Sequence, residues 1–387
     1  MITPEKSLPF EWRPRPLPLA PAVAWAVLLL SCAVQAGDIL RGGAAPNAPA
    51  PRASYGTNGA AAAQARSNAK DALARTQQAL QSVKNAQAAA RAAAVGSGAT
   101  NLGADPNHPG LQLPNVPDGL GVGGLDFTSA TGASAPTQSG NSVTVRQNVQ
   151  QALLDWKTFN VGSKTTIHFD QTAGGADVGQ WIAFNRVTDP SGVPSQILGS
   201  IKAEGQVYII NQNGIIFGGG SQVNVHALVA ASLPINMNLV NRGLLNNPNL
   251  EYLFSGLPQS APLPPNGKYG AVVVQPGAVL SAPTSAEHVG GRIALVGANV
   301  SNGGTLSTPD GQVILAAGLQ IGFEAHKSSD PAVRGLDVYV GAVSDGIKPN
   351  YAGTVTNSGL IEVLRGNATL AGKSIFQQGA INSSTSV

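Results

Sequence analysis

The sequence predicts an all-β chain wound as a parallel β-helix with short antiparallel excursions, preceded by a signal peptide and an Ala-rich helix. Three observations carry this expectation. Only 11% of the 387 residues are charged, against about 25% in ordinary soluble domains, while 47 Gly and 27 Pro supply frequent turns. From Asn141 onward, short apolar runs (QVYII, GIIF, QVNV, AVVV, RIALV, QVILAA, LDVYV, LIEVL) are each bounded by Gly, Asn, Ser or Pro, as strands between tight turns would be. The later runs also recur. The centres Val273, Ala294 and Ile314 are 21 and 20 residues apart, and Asp337 or Val338 and then Val363 follow at about 24 and 25, within the range of solenoid repeats. A unit that short cannot close a core, but stacked units can share one.

The elements follow in chain order. Residues 1–36 read as an export signal: Lys6, Arg13 and Arg15 precede an apolar stretch from Leu19 to Leu30, and AVQA offers a cleavage site after Ala36. Cys32, the chain's single cysteine, falls inside this signal, so cleavage leaves a mature chain without thiols. Lipidation at Cys32 is a minor alternative, since LLSC fits a lipoprotein box poorly. Residues 37–59 are a Gly/Pro/Ala linker. Residues 60–95, rich in Ala, Gln, Arg and Lys and free of Gly and Pro, predict a helix. Leu73, Leu80 and Val83 give that helix a thin apolar stripe, and it reads as a solvated spacer in preference to a partner-binding or membrane-surface helix. Residues 96–140 return to Gly, Pro, Asn and Ser and read as a linker or loose cap. Charge is unevenly spread: the basic excess lies before residue 96, while 141–387 carries 13 basic and 13 acidic side chains. The main body therefore lacks the basic surface that nucleic acid requires.

Within 141–387, the stretch GQVYIINQNGIIFGGGSQVNVHALVAAS (205–232) is the most informative. In a β-helix, VYII and IIF are strands on successive faces and NQNG turns the corner, where Asn and Gly tolerate positive φ. A hairpin at Asn213-Gly214 is the local rival, but it would not explain the recurrence downstream. Residues 236–270 read as an excursion from the coil.

Two further stretches, LLDWKTFNVGSKTTIHFDQ (153–171) and WIAFNRVTDPSGVPSQILGSIKAEG (181–205), join 205–232 in a pattern. With the strand repeats after 270, this pattern resembles the N-terminal secretion domain of filamentous haemagglutinin-type exoproteins of two-partner secretion. The resemblance covers 141–387. It implies a right-handed parallel β-helix and an adhesin associated with virulence. It also implies export to the periplasm by the general secretory machinery, then recognition by an outer-membrane barrel transporter through its POTRA domains. The expected location is the bacterial cell surface or the medium, and the expected target is a host or neighbouring cell. Asn211, Asn213 and Gly214 fall on the family's Asn-Pro-Asn-Gly box, followed by Ile215, with Gln212 where Pro is usual. Trp156, Phe159 and Asn160 match its Trp-x-x-Phe-Asn signature, and Asn185 and Arg186 its Asn-Arg-Val signature. A second family box, Asn-Pro-Asn-Leu, is matched by Asn247 to Leu250, but out of the family's order, and is treated as coincidence. The chain breaks off mid-coil at FQQGAINSSTSV and is expected to begin a longer filament.

Catalytic and cofactor motifs are weak. Gly119, Gly121 and Gly124 spell GxGxxG but follow no strand and open no helix. Gly372-Lys373-Ser374 lacks the upstream Gly of a phosphate loop. The five His (108, 168, 226, 288, 326) have no metal-ligand spacing. No cofactor or metal is expected and the chain is not read as an enzyme. A β-helix enzyme acting on glycans is the alternative, since adjacent coils can bring distant acids together.

Overall fold

The computed structural model describes residues 58–105, 112–242, 247, 249–256, 264, 267–284, 290–325, 335–341 and 353–383. The export signal, Cys32, His108, His288 and His326 lie outside them. Two compact units are present, Met1–Ala62 and Ala63–Val387. Everything below concerns the second, apart from the first residues of the helix Asn58–Gly96.

Three sheets make the body. The first face has eight strands, the second six and the third nine. From Ile182 the chain visits them in fixed rotation. Ile182–Val187 lies on the first face, Ser195–Ile197 on the second and Ser200–Ala203 on the third. The next lap is Gln206–Ile210, Ile215–Phe217 and Gln222–Asn224. Each strand pairs in parallel with its counterparts one lap before and after: Val207 lies beside Leu228, Ile216 beside Gln196 and Val273, and Val223 beside Ile201 and Leu280. This is the winding expected of a β-helix, and it excludes the hairpin at Asn213-Gly214. The first lap is closed by antiparallel strands, Leu125–Thr131 against Gln151–Phe159 and Thr137–Ser139 against Ser142–Arg146. Residues 96–140, a linker or loose cap by composition, thus contain the strands that cap the stack. Their Gly and Pro serve tight turns between short strands, which composition alone does not distinguish from a loose chain.

The recurrence needs one correction. Ala294 and Ile314 are stacked partners on the first face. Val273 belongs to the second face, beside Ser301, and Val338 to an antiparallel excursion, opposite Phe323. Their spacings imitate the period because short strands and turns recur on every face. True partners can be far apart in sequence: Leu228 stacks on Ile293, and Val313 on Ala368.

Both long intervals arise at the corner between the first and second faces. One excursion leaves after Ala231 and returns at Val272, the other leaves after Ala317 and returns at Thr354. They carry the helix Met237–Arg242 and the strands Phe254–Ser255, Gln320–Ala325 and Leu336–Val340, the three strands forming an antiparallel sheet. That sheet lies over the outer side of the first face. A second apolar core forms there, where Phe184, Tyr208, Val229, Ala294 and Ile314 meet Leu239, Phe254, Ile321 and Phe323. The main core fills the coil interior with columns such as Val143, Ile167, Ile201, Val223, Leu280, Leu306 and Ile361.

Candidate functional site

The nine family-motif residues gather on two neighbouring parts of the coil. The first is the corner after Gln206–Ile210. Asn211 Oδ1 accepts the backbone N–H of Asn213 at 3.0 Å, and the Gly214 N–H donates to the Asn211 carbonyl at 2.9 Å. These two bonds fold residues 211–214 into a turn, and Gly214 leaves it at φ 108°, a conformation that disfavours a Cβ. Neighbouring coils hold the turn. Asn211 Nδ2 donates to Ser195 Oγ at 2.9 Å, Asn213 Nδ2 to the Asp189 carbonyl at 2.8 Å, and the Asn211 N–H to the Ala231 carbonyl at 3.0 Å. Asn211, Asn213, Ser195 and Ala231 are buried and Asp189 is half-buried, and satisfying these groups offsets the desolvation cost of two buried amides. Ile215 then begins the next strand, fully buried.

The motifs leave out Gly270. It covers the turn from the next lap, donating its N–H to the Gln212 carbonyl at 2.9 Å, and a Cβ there would stand 2.1 Å from the Asn213 carbonyl oxygen. No sequence signal marks it, because the excursion separates it from the turn it covers.

The second part lies at the start of the stack. Trp156 is fully buried, with edge-on contacts to Phe127 at 5.4 Å and Phe159 at 5.2 Å. Its indole Nε1 donates to Asn185 Oδ1 at 3.0 Å. Asn185 occupies an inward position in the column Leu154–Asn185–Ile209, where an apolar residue would be the rule. Its Nδ2 donates to the carbonyls of Ala183 and Tyr208 at 3.2 and 3.1 Å, so a buried amide serves to satisfy a buried indole. Asn160 accepts the Gln196 N–H at 2.8 Å and donates to the Gly123 carbonyl at 2.9 Å, tying the cap to the next lap. Arg186 differs from the rest. It is exposed, and its guanidinium pairs with Asp155 at 2.7 Å. Eight of the nine motif residues are therefore buried.

In the stretch set aside as coincidence, Asn247 ties the chain back to Glu251 in a turn. Asn247 is buried, its Oδ1 accepts the Glu251 N–H at 2.8 Å, and its Nδ2 donates to the Glu251 carbonyl at 3.0 Å and to the Tyr339 hydroxyl at 3.3 Å. Leu250 has φ 52°. This turn joins the two excursions.

Among the described residues, charged side chains are sparse and most lie at the surface, Asp105 being a buried exception. Burial, aided by the nearby Arg292 charge, lowers the pKa of His226, which sits where the third face passes into the first. His168 Nε2 lies 2.7 Å from Glu204 Oε1 in an open polar groove on the third face shared with Thr144 and Lys202. Among the described residues, no three His, Cys, Asp or Glu side chains are placed to hold a metal, and no helix is long and apolar enough to cross a membrane.

A family model of the TPS secretion domain matches residues 124–386. The chain belongs to the TPS, or two-partner secretion, secretion-domain family. The match begins at the capping strands rather than at Asn141, in accord with the strand at Leu125–Thr131. Among curated proteins, a heme/hemopexin-binding protein of Haemophilus influenzae is 37% identical over 92 residues, covering 24% of this chain and 9% of that protein. A second heme/hemopexin-binding protein of the same species is 36% identical over 93 residues, covering 24% of this chain and 10% of its own length. The TPS chain thus spans about a tenth of the length of these relatives. Among solved structures, the HMW1 secretion domain from Haemophilus influenzae is similar at a TM-score of 0.40 and 20% identity, covering 67% of this chain and 63% of that one. This TPS domain is the secretion domain of an exported exoprotein and carries its secretion signal. Membership implies a cognate outer-membrane transporter and places the chain in a family of secretion domains rather than of enzymes.

Proposed function

We propose that this TPS domain is the N-terminal part of a filamentous haemagglutinin-type adhesin, and that its transporter reads the motif residues before the coil folds. Residues 1–36 direct the chain through the general secretory machinery and are removed in the periplasm. The transporter's POTRA domains then bind the unfolded chain, and a right-handed β-helix winds outside the cell to present the adhesin to a host or neighbouring cell surface. The observation that carries this reading is the burial of the motifs. Asn211, Asn213, Gly214, Ile215, Trp156, Phe159, Asn160 and Asn185 have no face to offer once folded, so side-chain recognition of them has to precede folding. Arg186, paired with Asp155 at the surface, stays accessible in both states.

The test is release of a reporter fused to residues 37–387, with and without the cognate transporter. Release that requires the transporter is expected, and equal release without it overturns the assignment. Asn213→Ala separates the two roles of the box. If the unfolded chain is read, export falls further than the loss of folded-state stability accounts for. If export and stability fall in proportion, the box acts through the fold alone.

A further inference from the structure

The helix Asn58–Gly96 has two halves of opposite character. From Ala63 to Ala79 every residue is exposed, Leu73 included at 58%. From Leu80 onward a regular set is half-buried: Leu80, Val83, Lys84, Gln87, Ala90, Arg91 and Ala94. Their spacing of three and four places them on one helix face. That face meets the corner between the second and third faces of the coil. Near its end, a Cβ on Gly219 would stand 2.9 Å from the Ala94 Cβ. One turn earlier, Arg91 donates to the Ser221 carbonyl at 2.8 Å and to the Gly277 carbonyl at 3.3 Å. The next turn brings Gln87, which accepts the Gly277 N–H at 2.9 Å and donates to the Gly303 carbonyl at 2.7 Å. Lys84 pairs with Glu362 at 2.7 Å. Ser221, Gly277, Gly303 and Glu362 belong to four successive laps.

The pitches explain the fit. An α-helix advances about 5.4 Å per turn and stacked strands about 4.8 Å per lap, so each turn of this helix meets roughly one new lap. Gln87 and Arg91 each bond two laps at once, and they bond backbone groups. Gly277 keeps the approach open, since a Cβ there would stand 2.5 Å from the Arg91 backbone nitrogen.

We propose that Leu80–Gly96 is a clasp, an intramolecular ligand of the coil corner that closes only after the lap holding Glu362 has folded and then holds four laps together against unwinding. The chain order makes this late. The helix precedes every lap it binds, and its partner groups come together only when those laps are stacked. The spacer reading of this helix holds for its exposed half alone.

Hydrogen exchange on the full chain tests the clasp, with Ala63–Ala79 as an internal reference in the same helix. Amides of 80–94 are expected to exchange more slowly than those of 63–79. In Gln87→Ala/Arg91→Ala the difference shrinks by about tenfold, the worth of a hydrogen bond to a charged group, while the coil interior keeps its protection. Equal exchange in the two halves of the unsubstituted chain overturns the proposal.

Discussion

The first and third faces of the coil share one pitch and obey different rules. On the third face, strands alternate: Ser142–Arg146 and Thr166–Asp170 bury every second residue, Val143, Val145, Ile167 and Phe169, and turn the others to water. On the first face, Ala227–Ala231 and Gln312–Ala317 are buried throughout, because the excursions cover the outer side as the other faces cover the inner. Alternation fixes register, since a one-residue slip on the third face would expose every aliphatic side chain. A slip on the first face would exchange one apolar set for another and carries little penalty of that kind. The register there has to be set elsewhere, and the Asn211–Gly214 turn stands at the exit of that face, bonded to the laps on both sides. The comparison therefore assigns the Asn/Gly box a physical task.

Substitutions can break this contrast, and the largest effect belongs to the doubly covered face. Ile314→Asp places a carboxylate in the second core and is expected to abolish folding, a loss above about 4 kcal/mol. Lys202→Asp, exposed on the third face, is expected to change stability by no more than about 0.5 kcal/mol. Denaturant titration measures both, and similar losses would refute the asymmetry. Next in size is Leu295→Ala in the main core, expected to cost about 2–5 kcal/mol. Asn185→Leu restores the aliphatic column but strands the Trp156 indole N–H, and a cost of about 1–3 kcal/mol is expected in spite of the added apolar surface. A stabilised Asn185→Leu protein would show that the amide serves something other than Trp156.

Smaller effects sharpen the point. Gln212→Pro restores the family's usual residue at the second position of a turn, where proline pre-sets φ. It is expected to raise the thermal midpoint slightly, by the equivalent of about 0.4–1 kcal/mol. His226 gives a pH test. Its folded pKa is depressed by burial and by Arg292, so below the ordinary imidazole value of about 6.5 the unfolded chain takes up a proton before the folded one. Stability contributed by the neutral ring is full above that value and is lost as pH falls through the folded pKa. His226→Gln is expected to flatten thermal midpoints measured between pH 8 and pH 5, and an unchanged slope would remove His226 from the account.

Much of this was written locally. Short runs such as Gln206–Ile210 bounded by Asn and Gly announce strands and corners, because strand and turn preferences act over a few residues. The unbroken apolar run at 313–317 fits a strand covered on both sides. Three things waited for the tertiary structure. The excursions insert tens of residues between stacked partners, so the pairing of Leu228 with Ile293 and the cover that Gly270 gives the turn are invisible to any fixed period. Residues 96–140 cap the stack, one of the two roles, linker or loose cap, that their composition left open. The proposed clasp had only a faint sequence signature in Leu80 and Val83, since Gln87 and Arg91 bond backbone carbonyls and amides, groups that every residue carries. Strand and corner identity follow from local preference, whereas partner choice depends on which distant backbone the winding brings within reach.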